Sequence, residues 1–235
     1  MIAQSLTVKK SILTSPRTPS IYALLVLLSV AHLCFALAGC SALSQSLSAP
    51  ALVRSRMSAI PASTLADGAH YVRGAPNAPV TIVEFADYEC PYCAENQAAL
   101  RELLARYDGQ LRLIYRDYET HSGSLPFAEA ARCAGEQEAF WQMNEYIFDH
   151  QSTLDPNRIG DYATILGLDS AAVSSCVASR RYEAAINSDG DLAAKAGAEG
   201  TPTFFVNGQL LDGAQSYDQL SAAVDSALAS RSANR

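Results

Sequence analysis

The spacing of apolar residues changes along this chain, and the changes predict a strand, a helix and a second strand. Residues 79–85 form a β-branched run typical of a buried strand, interrupted by the carboxylate of Glu84. Residues 90–107 carry leucines at helical spacing, and an Asp-Gly pair at residues 108–109 ends the helix. A second strand is predicted over residues 111–115. Together these elements form a βαβ unit.

The pattern is then helical for a long stretch before strands return. Between residues 125 and about 197 the apolar residues fall at helical spacing in several short segments. Residues 203–206 are typical of a strand, and Asn207-Gly208 predicts a hairpin into residues 209–211. An amphipathic helix is predicted from about residue 217 to residue 229. We therefore predict an α/β fold, β-α-β then β-β-α, with an all-helical insertion between its halves.

The first 39 residues are predicted to be an export signal. A polar, basic segment without acids precedes an apolar run over residues 21–38, and this order is typical of a signal peptide. The run ends in Leu37-Ala38-Gly39-Cys40, which resembles the lipobox of bacterial lipoprotein signal peptides. The resemblance implies cleavage before Cys40 and lipid modification of that cysteine, which anchors the chain to a membrane. An uncleaved transmembrane anchor and a cleaved soluble form are the alternatives.

All of these alternatives place the folded domain outside the cytoplasm. Residues 40–69, rich in Ser, Ala and Pro over most of their length, are predicted to be a flexible tether. Residues 70–235 are predicted to be the folded domain. Without the first 39 residues the chain keeps 14 basic and 24 acidic residues, a formal charge of −10. This part of the chain has no basic stripe to neutralise phosphates, so we exclude nucleic-acid binding. We also expect the protein to be a monomer.

The chain has six cysteines, which are Cys34, Cys40, Cys90, Cys93, Cys133 and Cys176. The first two belong to the leader and the predicted lipidation site. Cys90 and Cys93 form a C-x-x-C motif. In an oxidising compartment the remaining pair suggests one structural disulfide, and two buried free thiols are the alternative. Zinc binding has little support, because the histidines outside the leader are widely spaced. One of them, His121, is predicted to be a surface residue of a loop.

The C-x-x-C motif at the start of a helix suits thiol–disulfide exchange. The positive end of the helix dipole favours the thiolate of Cys90, which makes it the attacking or attacked sulfur. Pro91 suits the first helical turn because its missing N–H would have no partner there. Cys93, one turn further, is expected to open or close the disulfide. Glu84 is predicted to be a partly buried base that moves a proton to or from Cys93, and a solvent-facing carboxylate is the alternative.

The chain resembles the DsbA-like family of bacterial disulfide oxidoreductases, in the thioredoxin superfamily. The resemblance rests on Val83-Glu84-Phe85, on Cys90-Pro-Tyr-Cys93 and on the sequence G-T-P-T-F-F-V-N-G at residues 200–208. It spans about residues 70 to 230. It implies a thioredoxin fold with a helical insertion, and protein thiol–disulfide oxidoreductase activity without a cofactor other than the redox-active disulfide.

The resemblance also implies roles for residues around the motif. Pro202 would be a cis-proline facing the active-site cysteines, and the backbone of Thr201 would pair with an extended client segment. Pro91 and Tyr92 are expected to contribute to the same client-binding surface. Glu84 matches the proton-handling acid of the family. Some members carry a second disulfide that matches the cysteines at positions 133 and 176.

The predicted function is exchange of the Cys90–Cys93 disulfide with cysteines of exported proteins, in the direction of disulfide donation. The family implies a membrane redox partner of the DsbB or vitamin K epoxide reductase type. A disulfide reductase or isomerase is the alternative within the same class. A non-catalytic thiol chaperone or copper-binding module is the alternative from a different class.

The residues around Cys90 predict a mild oxidant. Strongly oxidising members carry Pro-His between the cysteines, whereas Tyr92 offers no positive charge here. Glu89 and Asp87 add negative charge, which should raise the pKa of the Cys90 thiol. A higher thiol pKa stabilises the reduced form less and makes the disulfide a weaker oxidant.

Overall fold

The computed structural model describes the backbone of residues 55–57 and all of residues 60–233. The predicted signal peptide over residues 1–39, the predicted lipidation site Cys40 and the first part of the predicted tether lie outside the described residues. Among the helices that are described, none is long and apolar enough to cross a membrane.

The described chain contains strands and helices in the order the sequence predicts, with additions near the N-terminus. The strands are β1 Ser55–Met57, β2 Val72–Gly74, β3 Val80–Ala86, β4 Leu111–Asp117, β5 Thr203–Val206 and β6 Gln209–Asp212. The helices are α1 Ala62–Ala66, α2 Pro91–Arg106, α3 Leu125–Gly135, α4 Phe140–His150, α5 Ile159–Ile165, α6 Ser170–Ala178, α7 Glu183–Ala196 and α8 Tyr217–Ala233. Two short 3₁₀ turns, Gln151–Thr153 and Pro156–Arg158, follow α4.

The strands form one sheet in the order β1-β6-β5-β3-β4-β2. β3 lies near its centre, parallel to β4 and antiparallel to β5. A parallel neighbour requires a crossover, which α2 supplies. The predicted α/β thioredoxin fold is confirmed, and residues 125–196 contain helices and no strand, as predicted for the insertion.

Alternation along β3 sends its side chains to two different layers. Ile82 packs on one face with Leu100 of α2 and Leu220 of α8. Val83 and Phe85 pack on the other face, among residues of α1 and α7. Even-numbered positions of β3 therefore face α2, the helix that begins at the C-x-x-C motif.

The prediction of a flexible tether as far as residue 69 is wrong for the last part of that interval. Residues 55–57 pair with β6, and α1 inserts Leu65, which is completely buried. The guanidinium of Arg116 donates hydrogen bonds to the carbonyl oxygens of Leu65 and Asp67. A single large apolar residue in a short helix leaves no visible periodicity, so the sequence pattern did not indicate this packing.

The helical insertion is held by a disulfide between Cys133 of α3 and Cys176 of α6, whose Cα atoms are 5.9 Å apart. Both cysteines are buried among apolar side chains of the insertion, including Phe127, Met143 and Phe148. The sequence left open either a structural disulfide or two buried free thiols, and the structure contains the disulfide.

Candidate active site

Cys90 and Cys93 lie at the start of α2, shortly after β3 ends. Cys90 has extended backbone angles and precedes the first helical residue, Pro91. Both cysteines are free thiols, Cys90 with 3% of its surface exposed and Cys93 with none. Pro91 is exposed, and Tyr92 is 58% exposed. The motif therefore presents its dipeptide to solvent and its sulfur atoms to the protein.

The two thiols have opposite acidities. The pKa of Cys90 is lowered to about 6, chiefly because the Cys93 thiol donates a hydrogen bond to its sulfur. Hydrogen bonding with Thr201 and with the backbone N–H groups of Tyr92 and Cys93 adds to this effect and outweighs the opposing effect of burial. Burial and the bond to Cys90 raise the pKa of Cys93. Near neutral pH the thiolate is therefore on Cys90.

The pKa of Cys90 is lowered, contrary to the rise predicted from Asp87 and Glu89. The Asp87 carboxylate accepts hydrogen bonds from the backbone N–H groups of Glu89, Thr120 and His121, at 2.7, 2.5 and 2.7 Å. The Glu89 carboxylate accepts one from the backbone N–H of Gly123 at 3.0 Å. Both carboxylates are therefore held as hydrogen-bond acceptors, and the hydrogen bonds made to the sulfur of Cys90 itself account for its lowered pKa.

The loop that precedes β5, far along the chain from the motif, contacts Cys90. The Thr201–Pro202 peptide bond is cis, and Pro202 is buried. In its protonated form the Cys90 thiol donates a hydrogen bond to the carbonyl oxygen of Thr201, 3.3 Å away. The structure thus brings Thr201 into contact with Cys90, and the Thr201–Pro202 bond is cis, as the resemblance implied.

Glu84 is an even-numbered residue of β3 and faces α2, behind the motif. It is completely buried, so the solvent-facing alternative is wrong. Gln97 of α2 donates a hydrogen bond to its Oε1 at 2.9 Å and reaches the carbonyl oxygen of Cys93 at 3.3 Å. Burial raises the pKa of Glu84 to about 8, against the opposing effect of the Gln97 hydrogen bond. Glu84 is therefore mostly a neutral acid at pH 7.

The second oxygen of Glu84, Oε2, is buried and has no hydrogen-bond partner among the described residues. A neutral carboxyl tolerates such a position better than a carboxylate does. Glu84 is also one of the groups that raise the pKa of Cys93, so the electrostatic states of the two residues are coupled.

Sequence reasoning missed several polar residues around the motif. Gln97 follows Cys93 by four residues, and this helical spacing was a usable signal. Gln151 gives no such signal, because it lies 61 residues after Cys90. Its side-chain amide donates hydrogen bonds to the carbonyl oxygens of Tyr88 and Cys90 at 2.8 and 2.9 Å. The helical insertion therefore contacts the backbone of the active-site loop directly.

Tyr88 and His121 form hydrogen bonds that the sequence did not indicate. Tyr88 is 1% exposed, and its hydroxyl accepts a hydrogen bond from Asn144 at 3.0 Å. His121 is a surface loop residue, as predicted, with 45% of its side chain exposed, and its Nδ1 lies 3.0 Å from Oδ2 of Asp87. Within residues 60–233 no group of three or more His, Cys, Asp or Glu side chains is arranged to hold a metal ion.

Residues 66–226 match the sequence model of a family described as thioredoxin. The chain belongs to the thioredoxin family. A solved structure described as a thioredoxin-like oxidoreductase from Silicibacter pomeroyi is similar, with 31% identity and a TM-score of 0.62, over 70% of this chain and 95% of that one. The thiol-disulfide exchange protein alpha-DsbA2 from Wolbachia pipientis shares the fold, with 22% identity and a TM-score of 0.62, over 70% of this chain and 90% of that one.

A curated relative from Salinispora tropica is described as Na(+)/H(+) antiporter NhaA 3. It is 44% identical over 163 residues, which are 68% of this chain and 25% of that protein. The chain therefore spans about a quarter of the length of this relative. The thioredoxin family implied by the motifs is confirmed by the family match, and the structural relatives are described as a thioredoxin-like oxidoreductase and a thiol-disulfide exchange protein.

Proposed function

We propose that this protein is an enzyme that exchanges its Cys90–Cys93 disulfide with cysteines of other proteins, acting as a disulfide donor outside the cytoplasm. The observation that carries the proposal is the contrast between the two thiols. Cys90 has a pKa of about 6 and lies at the helix start beside the carbonyl of Thr201. Cys93 is completely buried, and its pKa is raised.

Disulfide donation follows from this contrast in two steps. A client thiolate attacks the sulfur of Cys90, the Cys90–Cys93 bond breaks, and Cys93 leaves with the electron pair. A buried thiolate at Cys93 is unfavourable, so it takes a proton, and the neutral carboxyl of Glu84 is the proposed donor.

The second step releases the product. A second client thiolate attacks the client sulfur of the mixed disulfide, and Cys90 leaves as a thiolate. Its lowered pKa makes Cys90 a good leaving group. The client is oxidised to a disulfide, and the enzyme is left with two reduced cysteines. Reoxidation then requires an external oxidant, for which we propose a membrane redox partner of the DsbB or vitamin K epoxide reductase type.

The client-binding surface is proposed to surround Cys90. Thr201 offers backbone groups for an extended client segment, and the exposed Pro91 and Tyr92 offer apolar area on the other side. Clients are proposed to be exported proteins with cysteines. Anchoring through a lipid on Cys40 is part of the same proposal, and membrane fractionation of the full chain against a Cys40→Ala variant tests it.

The oxidising strength is proposed to be intermediate. A thiol pKa of about 6 lies between the values of about 7 for thioredoxin and about 3.5 for DsbA. A stabilised thiolate favours the reduced enzyme and so makes the disulfide more oxidising. A measured potential close to the about −120 mV of DsbA would contradict this part of the proposal.

The test compares oxidative refolding of a reduced client with reduction of insulin. We expect refolding activity that is lost in Cys90→Ser. In Cys93→Ser we expect the Cys90 thiolate to attack a disulfide of insulin and displace one insulin cysteine, and the mixed disulfide should be stable on a non-reducing gel because no Cys93 thiol is present to resolve it. Refolding that survives Cys90→Ser would overturn the assigned nucleophile, and activity in insulin reduction alone would make the protein a reductase.

A further inference from the structure

The loop between β4 and α3 contacts the Cys90 centre but has no part in the exchange steps above. Oδ2 of Asp87 lies 3.0 Å from Oγ1 of Thr120 and 3.0 Å from Nδ1 of His121. The Thr120 hydroxyl lies 3.0 Å from the hydroxyl of Thr201, whose carbonyl accepts the hydrogen bond of Cys90. A short series of contacts therefore joins His121 to the active-site sulfur.

Asp87 fixes the orientation of His121. The side chain of Asp87 is completely buried. Burial by itself would raise the pKa of its carboxyl, but hydrogen bonds from Glu89, Thr120 and His121 lower it overall. A carboxylate only accepts hydrogen bonds, so Nδ1 of His121 carries the hydrogen. The other ring nitrogen, Nε2, is then the one that takes up the second proton.

The charged groups that act most strongly on His121 are negative. The hydrogen bond to Asp87 raises the pKa of His121, and the charges of Asp87, Cys90 and Glu89 raise it further. The loop before β5 faces this cluster with the uncharged hydroxyl of Thr201. These effects favour the protonated, positively charged form of His121 beside the motif.

We propose that His121, held by Asp87, supplies from outside the C-x-x-C motif the positive charge that stabilises the Cys90 thiolate. Electrostatic coupling is reciprocal, so a thiolate that favours the imidazolium is itself favoured by it. Tyr92 carries no charge, and His121 compensates for this from a loop 31 residues after Cys90. The inference deepens the proposed function and rests on it, and it makes His121 a positioning residue that acts through Cys90.

The test measures the thiolate itself, without a client. Ultraviolet absorbance of the reduced protein is followed against pH, with a Cys90→Ser variant as the background. In His121→Gln we expect the midpoint of the Cys90 titration to rise by about 0.3–0.7 pH unit, the range for a partly exposed charge pair. The matched control is His70→Gln, because His70 is exposed and contacts Tyr71 rather than the motif. It should leave the midpoint unchanged.

A second variant separates charge from packing. His121→Lys keeps a positive charge, so its midpoint should stay closer to that of the unsubstituted protein than the midpoint of His121→Gln does. The difference between the two variants should also shrink at high salt. An unchanged midpoint in His121→Gln, or equal rises in both variants, would overturn the inference.

Failure of this inference is distinguishable from failure of the proposed function. The titration reports the Cys90 thiolate whether or not any client is oxidised. If His121→Gln leaves the midpoint unchanged while Cys90→Ser abolishes refolding, the inference is wrong and the proposed function stands. If Cys90→Ser still refolds the client, the proposed function is wrong whatever the titration gives.

Discussion

Replacing Glu84 by glutamine tests the proton chemistry behind Cys93. Glutamine has nearly the size of a neutral glutamic acid and removes only the ionisable group. In the folded protein the pKa of Glu84 is raised from 4.5 to about 8 by burial. The folded state therefore holds a proton on Glu84 at pH values where the unfolded chain has lost it.

This difference predicts how stability depends on pH. The free energy of unfolding should fall as the pH rises from 4.5 to about 8, by about 1.4 kcal/mol for each pH unit. The accumulated loss is of order 3 kcal/mol at pH 7 and of order 5 kcal/mol above pH 8. Glu84→Gln should lack this component, and the free energy gained over the unsubstituted protein should grow with pH.

Chemical denaturation of the reduced protein at several pH values between 5 and 8.5 measures this effect. The control is Glu95→Gln, because Glu95 lies on α2 but is exposed. In the exchange assay Glu84→Gln should slow the step in which Cys93 gains a proton, by roughly 100-fold. An unfolding free energy that depends on pH in the same way for Glu84→Gln and the unsubstituted protein would refute the reasoning.

Two further predictions concern the helical insertion. The double variant Cys133→Ala, Cys176→Ala opens a bridge between residues 43 apart and should lower the free energy of unfolding by about 4 kcal/mol, from loop-closure entropy. Denaturant titration measures the loss, and a change below about 1 kcal/mol would contradict it. Gln151→Ala removes hydrogen bonds to the carbonyl of Cys90 and its loop, so it should cost about 1–3 kcal/mol and slow client exchange. Equal rates in Gln151→Ala and the exposed control Gln142→Ala would count against that contact.

Periodicity was sufficient to predict most of the fold. The predicted strand over residues 79–85 is β3 at Val80–Ala86, and the helix predicted over residues 90–107 is α2 at Pro91–Arg106. These elements bury a whole strand or one face of a long helix, which leaves a clear pattern in the sequence. The short elements β2 and α1 were missed, because three and five residues are too few to show a period.

The candidate site divides in the same way. Cys90, Pro91 and Cys93 lie within four consecutive residues. Their position at the start of a helix predicts a reactive thiol, because the positive end of the helix dipole favours the thiolate. Glu84 was noticed because a carboxylate is unusual in a buried strand, although its complete burial and its contact with Gln97 depend on how α2 packs on the sheet. The spacing indicated that the motif was reactive, but the acidity of its thiols depends on their neighbours.

The sequence by itself determined the element order, the reactive motif and the family, because local spacing and short motifs encode these features directly. Only the tertiary structure decided which distant groups surround Cys90. Asp87, adjacent to the motif, was expected to raise the pKa of Cys90, yet its carboxylate is held by donors from the loop at residues 120–121. Hydrogen bonding with Thr201, 111 residues away, helps to lower the pKa of the Cys90 thiol. The pKa of a thiol depends on distances in space, and folding fixes those distances independently of separation along the chain.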